Sequence, residues 1–252
     1  MHGLTLVFDL DGTLVDTAPD LIAATNHALL DLGLAPVPHD VLRPAIGFGA
    51  RHMIVEGLRQ TGKTLEDADL DRLLARFLVY YEANIAAESQ PFEGVIDALE
   101  TFRAAGARLA VCTNKRENLS KSLLAALNLY KHFVALAGRD TFSVHKPDPG
   151  HLIGTIELAN GDPRRAIMIG DSKVDVATAK NALLPVIACS FGYSDLPANE
   201  LGADAVIGHF EELADAVAAL IPSLPPASLQ PAGARESASL PAPPSSKGHN
   251  LD

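Results

Sequence analysis

The 252-residue chain is poor in several things that would each have announced a class of protein. It has only two cysteines, too few for a disulfide framework. Both Cys112 and Cys189 sit in apolar, strand-like runs, a setting that predicts buried free thiols and suits a reducing cytoplasm. No apolar run approaches the ~20 residues a membrane-spanning helix requires. Basic charge is also scarce, with 20 Lys and Arg against 31 Asp and Glu and a net charge of -11. A nucleic-acid surface needs the opposite balance, so neither a nucleic acid nor a membrane is expected as partner. The N-terminus enters an apolar run within a few residues, leaving no room for a signal peptide in this reading. Internal repeats are absent as well.

What is present is core-forming sequence, 48% hydrophobic, enough for one large domain or a domain with an insertion. The first run, Leu4 to Phe8, is short, apolar and rich in β formers, and predicts a buried strand. It ends in two carboxylates, Asp9 and Asp11, followed by a turn at Gly12-Thr13. In an open parallel sheet, ligands bind in the crevice at the carboxyl ends of the strands. Two acids placed there repel each other and are costly to desolvate, so they need a cation or a phosphoryl-transfer task; the plain alternative is a pair of loop acids closing a strand.

From Asp16 to about Ala87 every pattern is helical. One helix over Asp16–Leu32 carries Pro19 in its first turn and Gly33 as its closing residue. Thr61-Gly62-Lys63 marks a break, and Leu70, Leu73, Leu74, Phe77, Leu78, Tyr81 and Ile85 stripe one face of a long amphipathic helix. Strand–helix alternation then resumes. Strands are expected at 109–112, 133–137, 166–169, 186–189 and 205–207, helices at 94–105, 117–127, from Pro149, and at 211–221. The fold class predicted is α/β, a Rossmann-like parallel sheet with right-handed crossovers, carrying an inserted all-helical cap. The divisions expected are 1–16 and 91–221 for the core, 17–90 for the cap, and 222–252 for a disordered tail rich in Pro, Ala and Ser.

Three further strand ends carry polar groups. Thr113-Asn114-Lys115 follows the second sheet strand, where a hydroxyl and turn N–H groups can hold phosphate oxygens, although such a Thr more often caps a helix. Lys146 stands between turn residues with Pro147 and Pro149, which stiffen its loop. Gly170-Asp171-Ser172 closes another strand, with Asp175 on the first turn of the next helix, where a carboxylate also answers the macrodipole.

Taken together, Asp-Leu-Asp-Gly-Thr-Leu-Val-Asp-Thr, the Thr after the second strand, Lys-Pro-x-Pro and Gly-Asp-Ser with a following Asp resemble the four motifs of the haloacid dehalogenase (HAD) superfamily, in that order. The resemblance covers Gly3 to about Leu220. Asp-Thr-Ala-Pro-Asp-Leu, Thr-Asn-Lys, Phe-Gly-Tyr and Ile46-Gly47-Phe48-Gly49-Ala50-Arg51 are similar to the corresponding stretches of bacterial phosphoglycolate phosphatases. It implies a Mg²⁺-dependent hydrolase of a small phosphorylated metabolite, monomeric or homodimeric and cytoplasmic. By the same resemblance the catalytic residues are Asp9 as nucleophile, Asp11 as acid and base, Thr113 and Lys146. Thr113, Asn114 and Lys146 would bind the phosphoryl group, and Gly47 and Arg51 the rest of the substrate. Asp9, Asp171 and the main-chain oxygen of Asp11 would hold the metal, with Asp175 holding its waters or Lys146.

Three rivals accompany this reading. A dehalogenase lacks the acid two residues after the nucleophile, which Asp11 supplies. A phosphatase or mutase for another small phosphate, such as a sugar phosphate or pyrophosphate, keeps every core motif. A non-catalytic binding module would have lost Asp9 or Lys146. One departure from the family pattern concerns the turn before Pro185, where a Gly is usual and this chain has Asn181-Ala182-Leu183-Leu184. Because Leu is poor at positive φ, the expectation is a differently built turn or Asn181 in the left-handed role.

Overall fold

A computed structural model describes residues 1–226. Six strands form one parallel sheet: β1 (Thr5–Phe8), β4 (Arg108–Cys112), β5 (Ala135–Ala137), β6 (Ala166–Gly170), β7 (Val186–Cys189) and β8 (Ala205–Ile207), in the order β5-β4-β1-β6-β7-β8. β1 is central, with Thr5 opposite both Arg108 and Ala166. After β1 the chain builds one half of the sheet through β4 and β5, then crosses back to build the other through β6, β7 and β8. Such a reversal opens a crevice at the carboxyl ends of the strands on either side of β1.

The strands read as continuous apolar runs because both faces are covered. Leu6 and Phe8 point to one face, where they meet helices α5 (Val95–Ala104), α6 (Glu117–Ala126) and α9 (Leu213–Leu220). Val7 points to the other, against α7 (Pro149–Leu158) and α8 (Lys173–Asn181). Each large aliphatic or aromatic side chain buried this way contributes about 1.5–3 kcal/mol. Cys112 and Cys189 are both buried and unpaired.

Residues between β1 and β4 add a helical layer built from α1 (Ala18–Leu30), α3 (Ala50–Gln60) and α4 (Asp67–Ala83), with a single-turn α2 (His39–Leu42) running into a 3₁₀ helix, Arg43–Phe48. Its own core of Ile22, Leu29, Ile54, Phe77 and Tyr81 extends to Leu119 and Tyr193 from the sheet side. The two chain crossings into this layer pair as a short antiparallel ribbon, β2 (Val15–Asp16) with β3 (Gln90–Pro91). Asp20, buried in the first turn of α1, ties the second crossing down by accepting from Ser89 Oγ at 2.6 Å and from the Ser89 N–H at 2.9 Å.

Several local expectations change. Residues 130–132 form a 3₁₀ turn, so the strand expected from Phe133 begins at Ala135. In the turn before β7, Leu183 itself takes the left-handed conformation at φ 57°, while Asn181 remains the last residue of α8. Of the tail expected from residue 222, the stretch 227–252 lies outside the described residues; before it, Leu224 packs partly against the sheet core and the Pro225 carbonyl accepts from Arg165. Among the described residues no helix is long and apolar enough to cross a membrane.

Candidate active site

The site begins where β1 ends. Asp9 keeps its backbone N–H on the Ile169 carbonyl at 2.9 Å, so the ladder to β6 fixes its place. The chain then turns tightly, with the N–H groups of Leu14 and Val15 both donating to the Leu10 carbonyl. Gly12 sits at φ +86°, and a Cβ there would lie 2.4 Å from Asp171 Oδ2, so only glycine fits. Thr13 donates to Asp171 Oδ1 at 3.0 Å, and the Tyr193 N–H to Oδ2 at 2.7 Å. The first and fourth motifs are thereby locked together.

Lys146 is buried between carboxylates. Its Nζ lies 2.6 Å from Asp175 Oδ1 and 2.8 Å from Asp9 Oδ1. The approach to Asp9 is off the hydrogen-bond direction, leaving Oδ1 charge-paired but without a hydrogen bond. Asp175 Oδ2 meanwhile closes a capping box with Ser172 at the start of α8, so this residue both caps the helix and holds the lysine. Burial alone would lower the Lys146 ammonium, but Asp175 and Asp9 more than offset it and hold it above the ordinary lysine range. The Lys146 loop is fixed from behind: its N–H donates to His151 Nδ1 at 3.2 Å, and its carbonyl accepts from Asn114 Nδ2 at 3.0 Å. Burial, aided by the Lys146 charge, pushes the His151 imidazole down to about 4, so it stands neutral at pH 7 with Nε2 facing the Gly138 carbonyl at 3.1 Å.

Asp9, Asp171 and Asp175 are buried, and their nearest oxygens lie within 4.8 Å of one another. Of the described residues, one ammonium, that of Lys146, stands among these three carboxylates. Burial is the main cause that raises both Asp9 and Asp171 above the carboxylate range, and the neighbouring acids push further. A hard divalent cation fits this arrangement: the donors are oxygens, one buried oxygen lacks a hydrogen bond, and the negative charge exceeds its local compensation. The carboxylate of Asp11 lies outside this group. It is turned to Lys115, whose Nζ is 2.9 Å from Asp11 Oδ1 and 2.7 Å from the Tyr81 hydroxyl.

A cavity of about 430 Å³ opens above these groups, between the sheet end and the helical layer. Asp9, Asp11, Thr113, Asn114, Lys146 and Asp171 line its floor, with Gly47 and Arg51 on the opposite wall; Asp175 lies buried behind. Thr113 Oγ1 accepts from the Lys115 N–H at 3.2 Å, shaping the turn after β4. Arg51 is engaged with Asp67 at 2.7 Å and with Asp71. Both acids are largely exposed, and exposed pairs are worth only about 0–1 kcal/mol, so the guanidinium is cheaply released.

Sequence reasoning missed Lys115, Tyr81, Tyr193 and His151 as parts of this site. Tyr81 fits the apolar stripe of α4 as core, yet a buried phenol needs a partner for its hydroxyl, and that requirement is the signal that could have singled it out.

The profile of the family described as "Haloacid dehalogenase-like hydrolase" matches residues 6–189. A phosphoglycolate phosphatase of Mesorhizobium japonicum is 49% identical over 208 residues, 82% of this chain and 92% of its own length. One from Agrobacterium fabrum is 47% identical over 211 residues, covering 84% of this chain and 91% of its own. Among solved structures, a predicted phosphoglycolate phosphatase from Haemophilus somnus superposes with a TM-score of 0.79 at 27% identity, covering 85% of this chain and 97% of the other.

Proposed function

The chain belongs to the haloacid dehalogenase-like hydrolases, and we propose that within this family it is a Mg²⁺-dependent phosphomonoester hydrolase acting on 2-phosphoglycolate. The observation that carries this reading is the Asp9–Lys146–Asp171 grouping on the cavity floor, with Asp11 beside it. Its substrate follows the relatives named above, and its cytoplasmic location follows the unpaired cysteines. In this reading residues 1–16 and 91–221 form the catalytic core, and 17–90 a cap that closes over the cavity and excludes water.

An oxygen of the Asp9 carboxylate attacks phosphorus and forms an aspartyl-phosphate as the P–O ester bond breaks. Asp11 gives its proton to the departing alkoxide oxygen. A water then attacks the same phosphorus, passes a proton to Asp11, and the bond to Asp9 breaks to release phosphate and restore the carboxylate. Lys146 holds Asp9 in the ionised form that attacks, and with Thr113 and Asn114 binds the phosphoryl oxygens. Asp9, Asp171 and the main-chain oxygen of Asp11 would hold Mg²⁺, with Asp175 ordering Lys146 behind them; the ion supplies positive charge against the phosphoryl oxygens. The glycolate carboxylate needs donors from the opposite wall, and Arg51 with the Gly47–Gly49 turn offers them.

The test is a panel of small phosphomonoesters and pyrophosphate with and without Mg²⁺. 2-Phosphoglycolate should give the highest kcat/KM, only with metal, and Arg51→Ala should narrow its lead over neutral phosphosugars by roughly tenfold or more, the loss of a charge-assisted hydrogen bond. A sugar phosphate or pyrophosphate in first place overturns the substrate; turnover indifferent to Mg²⁺ overturns the metal.

A further inference from the structure

Lys115 is a buried cation that the mechanism above does not use. Its side chain is 6% exposed, and its backbone is held at the end of β4, with its N–H on Thr113 Oγ1 and its carbonyl accepting from the Arg139 N–H at 2.9 Å. Its ammonium reaches two groups from different layers. One is Asp11 Oδ1 at 2.9 Å, on the turn after β1; the other is the Tyr81 hydroxyl at 2.7 Å, on α4 of the helical layer. The ammonium also stands 4.5 Å from the centroid of the Tyr81 ring. That ring is itself buried and stacked on Phe77 at 5.8 Å between centroids. Burial pushes the Tyr81 phenol up to about 12, so it remains a neutral hydroxyl whose oxygen accepts a hydrogen bond from the ammonium.

The geometry points to Lys115 as the positioning residue of Asp11, with Tyr81 making that positioning depend on the seating of the helical layer. The inference rests on the reading of Asp11 as acid and base. A carboxyl group that transfers a proton must present one oxygen to the reacting atom, and a free rotor presents either. The Lys115 contact occupies Oδ1, leaving Oδ2 to carry the proton, whichever protonation state Asp11 is in. Lys115 in turn is steered by Tyr81. When the helical layer lifts from the sheet, the hydroxyl leaves, the ammonium loses one of its two anchors, and Asp11 loses its fixed orientation. Proton transfer to the leaving group is thereby tied to closure over the bound substrate, with no direct contact between Tyr81 and the reacting atoms.

Leaving groups separate this role from mere packing. An alkoxide such as glycolate needs protonation as it departs; p-nitrophenolate does not. Because kcat/KM covers only the steps through departure of the leaving group, the ratio of kcat/KM for 2-phosphoglycolate to that for p-nitrophenyl phosphate reads the acid's positioning. Taken within one preparation, the ratio is independent of the fraction of protein that is folded. Lys115→Met should lower it at least tenfold, and Tyr81→Phe in the same direction by a smaller factor. The double variant should match Lys115→Met alone, because the phenol acts through the lysine. An unchanged ratio in Lys115→Met, with both substrates falling together or neither falling, overturns the proposal, as does a double variant in which the two losses multiply. If the wild type hydrolyses p-nitrophenyl phosphate but not 2-phosphoglycolate, the substrate reading has failed separately, and the same ratio is taken with whichever alkyl phosphate it does turn over.

Discussion

Asp9 occupies a position where opposite demands meet. Burial and the acids at 175 and 11 push its carboxyl toward the neutral form, while Lys146 pulls it toward the charged one. Replacing it by the nearly isosteric amide removes one negative charge from a crowded group and leaves the backbone bond to Ile169 intact. Asp9→Asn should therefore lower kcat by at least about 10³-fold, as expected when a nucleophile is lost, while the melting midpoint of the metal-free protein does not fall. Steady-state kinetics beside a thermal melt checks both halves; substantial activity in a clean preparation overturns the assignment of nucleophile. The acid–turn–strand pattern made Asp9, Asp11 and Asp171 legible as residues of interest. It was silent on Tyr193 and His151, whose contributions run through a backbone N–H to Asp171 and a ring nitrogen behind Lys146.

At the scale of elements, the sheet strands were readable because burial on both faces leaves continuous apolar runs bounded by turn residues. The β2–β3 ribbon was not, since two residues carry no periodicity. The turn before β7 shows a local rule being overridden. Leu183 adopts φ 57° although its side chain is almost wholly exposed, at 92%, so packing does not offset a left-handed conformation that costs roughly 1–2 kcal/mol in a residue with a Cβ. Leu183→Gly relieves that cost at the expense of a more flexible unfolded chain. The net expectation is a gain of about 0.5–1 kcal/mol, or roughly 1–4 °C in the midpoint for a chain of this size. A lower midpoint in a denaturation scan would show instead that the Leu183 side chain makes a contact worth more than the strain.

The whole molecule brings three carboxylates to one buried place, Asp9 from the first strand's end and Asp171 with Asp175 from a segment far along the chain, and of the described residues the Lys146 ammonium alone stands among them. A cation bound there favours the folded chain over the unfolded one, where Asp9 is separated from the other two acids. At about 100 times its Kd, Mg²⁺ should stabilise the protein by about 2.7 kcal/mol, raising the midpoint by roughly 5–10 °C. Asp171→Ala, which removes a proposed ligand, should abolish that shift. Asp11→Asn should keep most of it, because the main-chain oxygen remains and the carboxylate faces Lys115. Thermal melts of the three proteins across a Mg²⁺ titration rank the losses; the reverse order would exchange the two roles.

The α/β class, the six sheet strands, the helical stretch after the first strand and the polar residues at the strand ends were determined by the sequence alone. Each of these is written in local patterns, in runs a few residues long whose periodicity and turn chemistry state what they bury and where they stop. The strand order, the cavity and the partner of each charged group were decided only by the tertiary structure. Lys115 lies 104 residues from Asp11 and 34 from Tyr81. It meets them because β4 pairs beside β1 and because α4 packs over the end of both, a relation between layers that no local pattern carries. Whether a lysine after a strand is a solvated surface charge or a buried clamp depends on what the fold sets opposite it, and here the fold sets an acid and a phenol.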